Sequence, residues 1–311
     1  MKIGYIGLGR MGKNMVFHLL EQGIEIVAWN RSPDPVAEVA KAGATPANSI
    51  DDLISKLETP RIIWVMVTAG EVVDEIVNQL AEKLSPGDLV IDGGNSFYKD
   101  TLKRNEILAK KGIHFMDIGT SGGPGGARSG ACLMIGGEKE DYEKITELAK
   151  AAASPDAYQY LGPIGAGHFA KMVHNAIEYG MMESIGEGLS ILKFSPFKYD
   201  FNKVLDIYMH RSVVESRLVN WAWDAFKEDP ELSDISSSIG SGGSGKRVPG
   251  EADWTVDVAR EMGIDVPAME SAIKIRENSD KDPEDSPEGF RNKVISAMRG
   301  QFGQHAVKKT K

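Results

Sequence analysis

Four polar side chains fall on one face of the stretch Lys171-Met-Val-His-Asn-Ala-Ile-Glu-Tyr179. A helix turns about 100° per residue, so positions three, four and seven apart share a face. Lys171, His174, Asn175 and Glu178 therefore line up, while Met172, Val173 and Ile177 fall elsewhere. The stripe lies within residues 169–192, a mostly apolar segment expected to be buried. Burying an amine, an imidazole, an amide and a carboxylate is costly unless they meet partners or a ligand. A structural Lys–Glu ion pair would satisfy two of them. With His174, Asn175 and Tyr179 in the same two turns, a site that handles protons on a polar ligand is the stronger reading.

The elements that must position this stripe come earlier in the chain. Residues 2–7 read as a short buried strand running into Gly7-Leu8-Gly9-Arg10-Met11-Gly12 and then a helix over 14–22. This is a G-x-G-x-x-G loop between strand and helix, the arrangement that lets backbone approach a pyrophosphate at a helix N-terminus. The second strand, 25–29, ends at Asn30-Arg31-Ser32, with no acidic residue to hold a ribose 2′-hydroxyl. Those donors suit the 2′-phosphate of NADP; an Arg31 lying over the adenine would accept NAD as well.

A continuous apolar run over 61–68 reads as a parallel strand covered on both faces, with Val67, Thr68 and Ala69 at its ligand-facing end. The strand 88–92 ends in Gly93-Gly-Asn95-Ser96, where Asn95 is either a turn residue or a ligand contact. After a strand at 113–117, the glycine-rich stretch 119–130 holds Ser121, Gly122 and Gly123, whose N–H groups can face a carboxylate or phosphate. A strand at 133–137 is expected near the sheet edge. Strand–helix alternation over residues 1–165 predicts an α/β doubly wound, Rossmann-type N-terminal domain.

From 166 to 311 the strand signal stops, and helices are expected over 169–192, 201–226, 255–263, 266–277 and 287–300, giving an all-α C-terminal domain. Between them, the Ser/Gly-rich stretch 236–253 with Lys246 and Arg247 is a surface loop or a closing flap. The acidic stretch 278–288 is expected to be solvated. Arg299 and His305 stand beyond the last expected helix, around a turn at Phe302-Gly303.

Composition bounds the rest. The chain has 311 residues, 41% hydrophobic and 26% charged, with net charge −9. That balance argues against a surface that seeks nucleic acid. The single cysteine, Cys132, rules out a disulfide framework or a cysteine metal cluster within one chain. No apolar run approaches the ~20 residues of a membrane span, and no signal peptide precedes the first strand. A cytoplasmic protein is expected.

Taken together, Asn30-Arg-Ser32, Asp92-Gly-Gly-Asn-Ser96, Ser121-Gly-Gly123, Lys171-Met-Val-His-Asn-x-x-Glu-Tyr179 and Arg299-x-x-Phe-Gly-x-His305 resemble the 6-phosphogluconate dehydrogenase family in a short-chain form, over nearly the whole chain. The resemblance implies oxidative decarboxylation of 6-phosphogluconate to ribulose 5-phosphate, the chemistry of the pentose phosphate pathway and gluconate use, with NADP or NAD and no metal. It makes Lys171 the proton acceptor and Glu178 the proton donor. Asn95, Ser121, Gly122, Gly123, His174, Asn175 and Tyr179 would contact the sugar acid. Arg299 and His305 would reach its phosphate from a neighbouring subunit of a homodimer or homotetramer. Gly7–Gly12, Asn30–Ser32, Val67–Ala69 and Asn95 would hold the cofactor.

The chain departs from the family pattern at Glu215, which stands where an arginine is expected. Lys246 is also separated from Trp254-Thr255. Arg211, Arg217, Lys246, Arg247 and Thr255 are therefore suspects only. A non-decarboxylating β-hydroxyacid dehydrogenase, of the 3-hydroxyisobutyrate or tartronate semialdehyde type, shares the lysine and Ser-Gly-Gly. A nucleotide sensor without catalysis would have no use for Lys171 and Glu178.

Overall fold

The computed structural model describes residues 1–239, 249–303 and 307. The chain forms two compact units, residues 1–172 and 173–311.

The first unit alternates strand and helix: β1 (Lys2–Ile6), α1 (Arg10–Glu21), β2 (Glu25–Trp29), α2 (Pro33–Lys41), β3 (Thr45–Pro46), α3 (Ile50–Ser55), β4 (Ile62–Val65), α4 (Glu71–Lys83), β5 (Leu89–Asp92), α5 (Tyr98–Ala109), β6 (His114–Ser121), α6 (Gly123–Ser129), β7 (Ala131–Gly136), α7 (Lys139–Ala152) and β8 (Ala153–Gly162). The strands form one sheet in the order β3-β2-β1-β4-β5-β6-β7-β8. All neighbouring pairs are parallel except β6 with β7. Apolar side chains fill both faces. Tyr5, Trp64, Ile91 and Ile118 belong to one core cluster, and Ile6, Val65, Val90 and Phe115 to the other. Two-sided burial is why these strands are unbroken apolar runs rather than alternating ones. The strand order reverses beside β1, so the loop after β1 opens at the switch point where such sheets take ligands.

β7 is second from the edge; the outermost strand is β8. Its segment Ala-Ser-Pro-Asp-Ala-Tyr-Gln-Tyr-Leu-Gly carries no apolar run and a proline, which only an edge strand tolerates. That polarity is what hid it from pattern reading.

The helix α8 (Ala166–Lys193) begins in the first unit and continues into the second. The second unit adds α9 (Phe201–Tyr208), α10 (Arg217–Glu228), α11 (Glu251–Glu261), α12 (Pro267–Asn278) and α13 (Pro287–Gly303). Here α8, α9, α10 and α13 share a core that includes Met182, Leu205, Phe226, Phe290 and Ile295, and α11 and α12 meet α8 in a smaller one of Ala176, Ala252, Val256 and Ile273.

Three expectations are corrected here. The single helix expected over 201–226 is two. Arg211 takes a left-handed φ of 62°, and Ser216 starts α10 by accepting a bond from the Val219 N–H. The acidic stretch 278–288 is not simply solvated. Ser279 is buried, and Asp282 pairs with Arg291 and accepts from Asn292. The turn expected at Phe302-Gly303 is instead the last turn of α13, which also contains Arg299; the Phe302 ring lies 4.9 Å from that of Trp221. No described helix is long and apolar enough to cross a membrane.

Candidate active site

In the first unit the glycine loop is built by close approach. Gly7 has φ of 100°, and a Cβ there would lie 2.3 Å from the Met66 carbonyl. A Cβ on Gly12 would lie 2.0 Å from the Gly7 carbonyl, so α1 packs directly on the loop. A Cβ on Gly9 meets nothing within 4 Å. Gly9 is the N-cap of α1, with no side-chain cap bond and no acid in the first turn. Open space in front of uncapped N–H groups fits the pyrophosphate of a nicotinamide dinucleotide. Leu8 is buried beneath the loop, Met11 is half-buried, and Arg10 is exposed at its rim.

Asn30 is not free to face a ribose with both ends of its amide. Its Oδ1 accepts from the Leu8 N–H at 2.9 Å and its Nδ2 donates to the Ser32 carbonyl at 3.0 Å. It ties the end of β2 to the glycine loop, and Arg31 and Ser32 stand exposed beside it.

The loops after β4 and β5 touch. A Cβ on Gly94 would lie 2.6 Å from the Val67 carbonyl, so the backbone at Val67, Thr68 and Ala69 runs against the turn that presents Asn95. Asn95 sits at φ of 58°, in the left-handed region that asparagine tolerates. Its side chain bridges to β6, donating to the Thr120 carbonyl at 2.9 Å and accepting from the Thr120 N–H at 2.7 Å. Asn95 is thereby fixed next to half-buried Ser121, Gly122 and Gly123.

The start of α8 comes down on β6 and β7, with three glycines at the contact. A Cβ on Gly167 would lie 2.3 Å from the Met134 carbonyl. One on Gly136 would lie 2.7 Å from the Gly167 nitrogen, and one on Gly119 2.4 Å from the Lys171 Cβ. Asp117 holds the helix end by accepting from the Gly165 and His168 N–H groups at 2.7 and 2.6 Å. Burial still pushes its carboxyl above the usual range, with the charge of His168 opposing. Lys171 is 5% exposed and stands directly over Gly119, two residues from Ser121.

In the second unit, α8 continues the polar stripe. The expectation that the whole stripe is buried is corrected: Lys171 alone is, while His174, Asn175, Glu178 and Tyr179 are half-buried. His174 Nδ1 lies 3.9 Å from Glu178 Oε2. Tyr179 is covered by a group that sequence reading missed, Arg276 of α12. Its guanidinium lies 3.3 Å from the ring centroid. Arg276 is 4% exposed, and its Nε has no hydrogen-bond partner among the described residues. Burial pulls this guanidinium down to about 10; the charge of Arg299 acts in the same direction, while Tyr179, Glu178 and Glu183 oppose it. It is still a cation at neutral pH. Arg299 thus stands within the field of Arg276 in its own chain. An arginine inside an amphipathic helix gives no sequence signal of its own; its position two turns from a proline-started N-terminus is ordinary.

The suspects resolve differently. Thr255 is buried and donates to the Glu251 carbonyl, and Arg217 lies 5.1 Å over the Trp221 ring. Arg211 has its N–H bonded by Glu215, so Glu215 serves the local turn. Lys246, Arg247 and His305 lie outside the described residues. The ends of the suspected flap are anchored: Ile239 is buried with its N–H on Ser279, and Gly250 caps α11. Among the described residues, no group of three or more His, Cys, Asp or Glu side chains could hold a metal ion.

The doubly wound sheet, the glycine loop and the helical second unit define a nicotinamide-nucleotide oxidoreductase. Residues 2–162 match the NAD binding domain of 6-phosphogluconate dehydrogenase, and residues 167–288 match its C-terminal domain. YqeC of Bacillus subtilis (strain 168), whose name gives 6-phosphogluconate dehydrogenase as an unproven activity, is 39% identical over 99% of this chain and 100% of its own. A Haloferax volcanii protein named NAD(+)-dependent, decarboxylating 6-phosphogluconate dehydrogenase is 36% identical, over 99% of this chain and 98% of its own. A solved structure of Plasmodium falciparum 6-phosphogluconate dehydrogenase superposes with TM-score 0.79 at 28% identity, covering 96% of this chain and 70% of that one. The chain belongs to the 6-phosphogluconate dehydrogenase family and is an NAD(P)-dependent oxidoreductase.

Proposed function

We propose that the protein oxidatively decarboxylates 6-phosphogluconate to ribulose 5-phosphate and CO2, in the pentose phosphate pathway and gluconate use, with NADP preferred over NAD. The observation that carries the reading is Arg276, a buried cation stacked on the residue after Glu178, whose Nε has no hydrogen-bond partner among the described residues although Glu178 and Glu183 act on its charge. Such a cation calls for an anion. It supports a phosphorylated substrate over the short unphosphorylated acids of the sister dehydrogenases.

Lys171 takes the proton of the hydroxyl β to the carboxylate, and bound nicotinamide accepts the hydride from that carbon. The resulting β-keto acid loses CO2 while the Lys171 ammonium, donating to the ketone oxygen, stabilises the enolate. Glu178 stands seven residues on, about 10 Å along the helix axis at ~1.5 Å per residue, and returns a proton to the carbon chain. Asn95, Ser121, Gly122, Gly123, His174, Asn175 and Tyr179 hold the sugar acid. Residues 1–165 serve as the dinucleotide-binding domain and 166–311 as the substrate-binding and oligomerisation domain.

The cofactor preference rests on exposed Arg31 and Ser32 at the end of β2, where an acid is absent. The protein is proposed to act in the cytoplasm, where an exposed lone thiol such as Cys132 stays reduced. It is a homodimer or homotetramer in which Arg299 and His305 serve a neighbour's site. An exchanged α13 end would recreate in the partner the Arg299–Arg276 relation seen within one chain.

Reduced-nicotinamide absorbance with 6-phosphogluconate and either NADP or NAD, with CO2 followed in parallel, tests the reading. Matching reduction and CO2 support it, and a rate ratio favouring NADP supports the role of Arg31. Reduction only with short unphosphorylated hydroxy acids overturns it in favour of a non-decarboxylating enzyme.

A further inference from the structure

One fully buried cation in the first unit has no part in the proton chemistry above. Arg104 of α5 is 1% exposed. Its Nε donates to Asp74 at 2.7 Å. One terminal nitrogen donates to the Ser96 hydroxyl at 2.8 Å and lies 3.4 Å from Asp92 Oδ2; the other donates to the Gly70 carbonyl at 3.1 Å. Gly70 closes the loop after β4, which holds Val67–Ala69, and Ser96 follows Asn95 in the loop after β5. Asp92 itself accepts from the Gly94 N–H and the Ser96 hydroxyl, so the β5 turn is wound around the carboxylate that the guanidinium faces.

We propose that Arg104 is a positioning residue, a clamp that sets the separation of the β4 and β5 loops and so places Asn95 relative to the cofactor-facing backbone at Val67–Ala69. The planar fork is what the job requires: it reaches two loops and an α4 carboxylate at once with fixed angles, which a lysine ammonium at the same place cannot do. Asn95 is already strapped to β6 through Thr120, so Arg104 fixes the other side of the same turn. The inference rests on the assignment of these two loops to cofactor and substrate under the proposed function.

The test uses Arg104→Met and Arg104→Lys in the full chain. NADP binding is titrated without substrate, and kcat and thermal unfolding are measured alongside. Arg104→Met is expected to weaken NADP binding roughly 10-fold and lower kcat by roughly 100-fold, as a displacement near 1 Å does. Arg104→Lys should recover part of both. A folded Arg104→Met protein with NADP affinity and kcat within about threefold of the parent would overturn the proposal. Equal loss in both variants with NADP affinity intact would do so too, by assigning Arg104 to the fold alone. Should Arg104→Met fail to fold, Ser96→Ala and Asp74→Ala each remove one arm of the clamp, and unchanged NADP affinity and kcat in both would be equally fatal. Because NADP binding is read without substrate, a protein that ignores 6-phosphogluconate would refute the proposed reaction while leaving the clamp to be decided by affinity.

Discussion

Gly119→Ala is the sharpest perturbation of the active-site geometry. Gly119 sits on β6 beneath the first turns of α8, and a Cβ there would lie 2.4 Å from the Lys171 Cβ and 2.8 Å from the Gly167 carbonyl. Ordinary contact starts at 3.4 Å, so Lys171 and the backbone behind it must retreat by about 1 Å. The helix cannot yield freely, because Asp117 holds its first N–H groups and Gly136 and Gly167 hold its backbone on β7. Overpacking of this kind costs about 1–3 kcal/mol of stability. The displacement acts on the proposed proton acceptor itself, and misplacement by about 1 Å lowers turnover roughly 100-fold, near 2.7 kcal/mol of barrier. The glycine loop and α1 lie at another part of the sheet, so NADP affinity should stay within about threefold of the parent. Steady-state kinetics, NADP titration and thermal unfolding of Gly119→Ala are compared with Gly125→Ala, where an added Cβ meets nothing within 4 Å. Gly119→Ala protein with kcat within threefold of Gly125→Ala would refute the claim that close packing at Gly119 sets the position of Lys171.

Other outcomes follow from single contacts. Gly9→Ala adds a methyl where the protein offers no clash, so unfolding should be unchanged while NADP affinity falls at least ~10-fold; equal affinity would remove the pyrophosphate from this loop. Arg276→Met should raise KM for 6-phosphogluconate roughly 100-fold or more with NADP affinity unchanged, and an unchanged KM would separate Arg276 from the phosphate. Mixing Lys171→Ala with Arg299→Ala should restore about one quarter of parental activity if tails are exchanged between subunits, and none if each chain serves itself. Burial raises the Glu183 carboxyl to about 7, with the nearby Arg291 guanidinium opposing. A raised acid holds its proton more tightly folded than unfolded, so its stabilisation is full below about pH 4.5 and is lost as pH rises through about 7. The rise corresponds to roughly 3 kcal/mol. Glu183→Gln should flatten the decline of unfolding free energy between pH 5 and 8; a decline parallel to the parent's would sink the assignment.

The contrast between what pattern reading found and what it missed has a physical basis. β1, β2, β4 and β5 announce themselves because a strand covered on both faces must be apolar throughout, and the glycine loop does so because backbone contact at 2.0–2.3 Å from a would-be Cβ tolerates no other residue. Lys171 and Glu178 were legible because one helix carries both, so periodicity alone aligns them. Groups brought in from separate elements left no such trace. The Asn30–Leu8 bond spans 22 positions, Arg104–Asp74 spans 30, and Arg276 meets Tyr179 from another helix. Burial also follows tertiary neighbours rather than the helix's own composition, which is why the stripe after Lys171 is half-open although its segment reads as apolar. The same reasoning explains the division of roles. Proton-transfer candidates sit on one rigid helix and are visible in one dimension. The buried cations Arg104 and Arg276 act across elements, and only the folded chain shows that one is satisfied by Asp74, Ser96 and Gly70 while the other keeps an unbonded Nε. A buried guanidinium bonded on every side fixes geometry, whereas one with a donor left over and no carboxylate bonded to it can still take an anion. That difference, rather than residue type, is what underlies the proposals that place the first arginine in the scaffold of the cofactor loops and the second at the substrate.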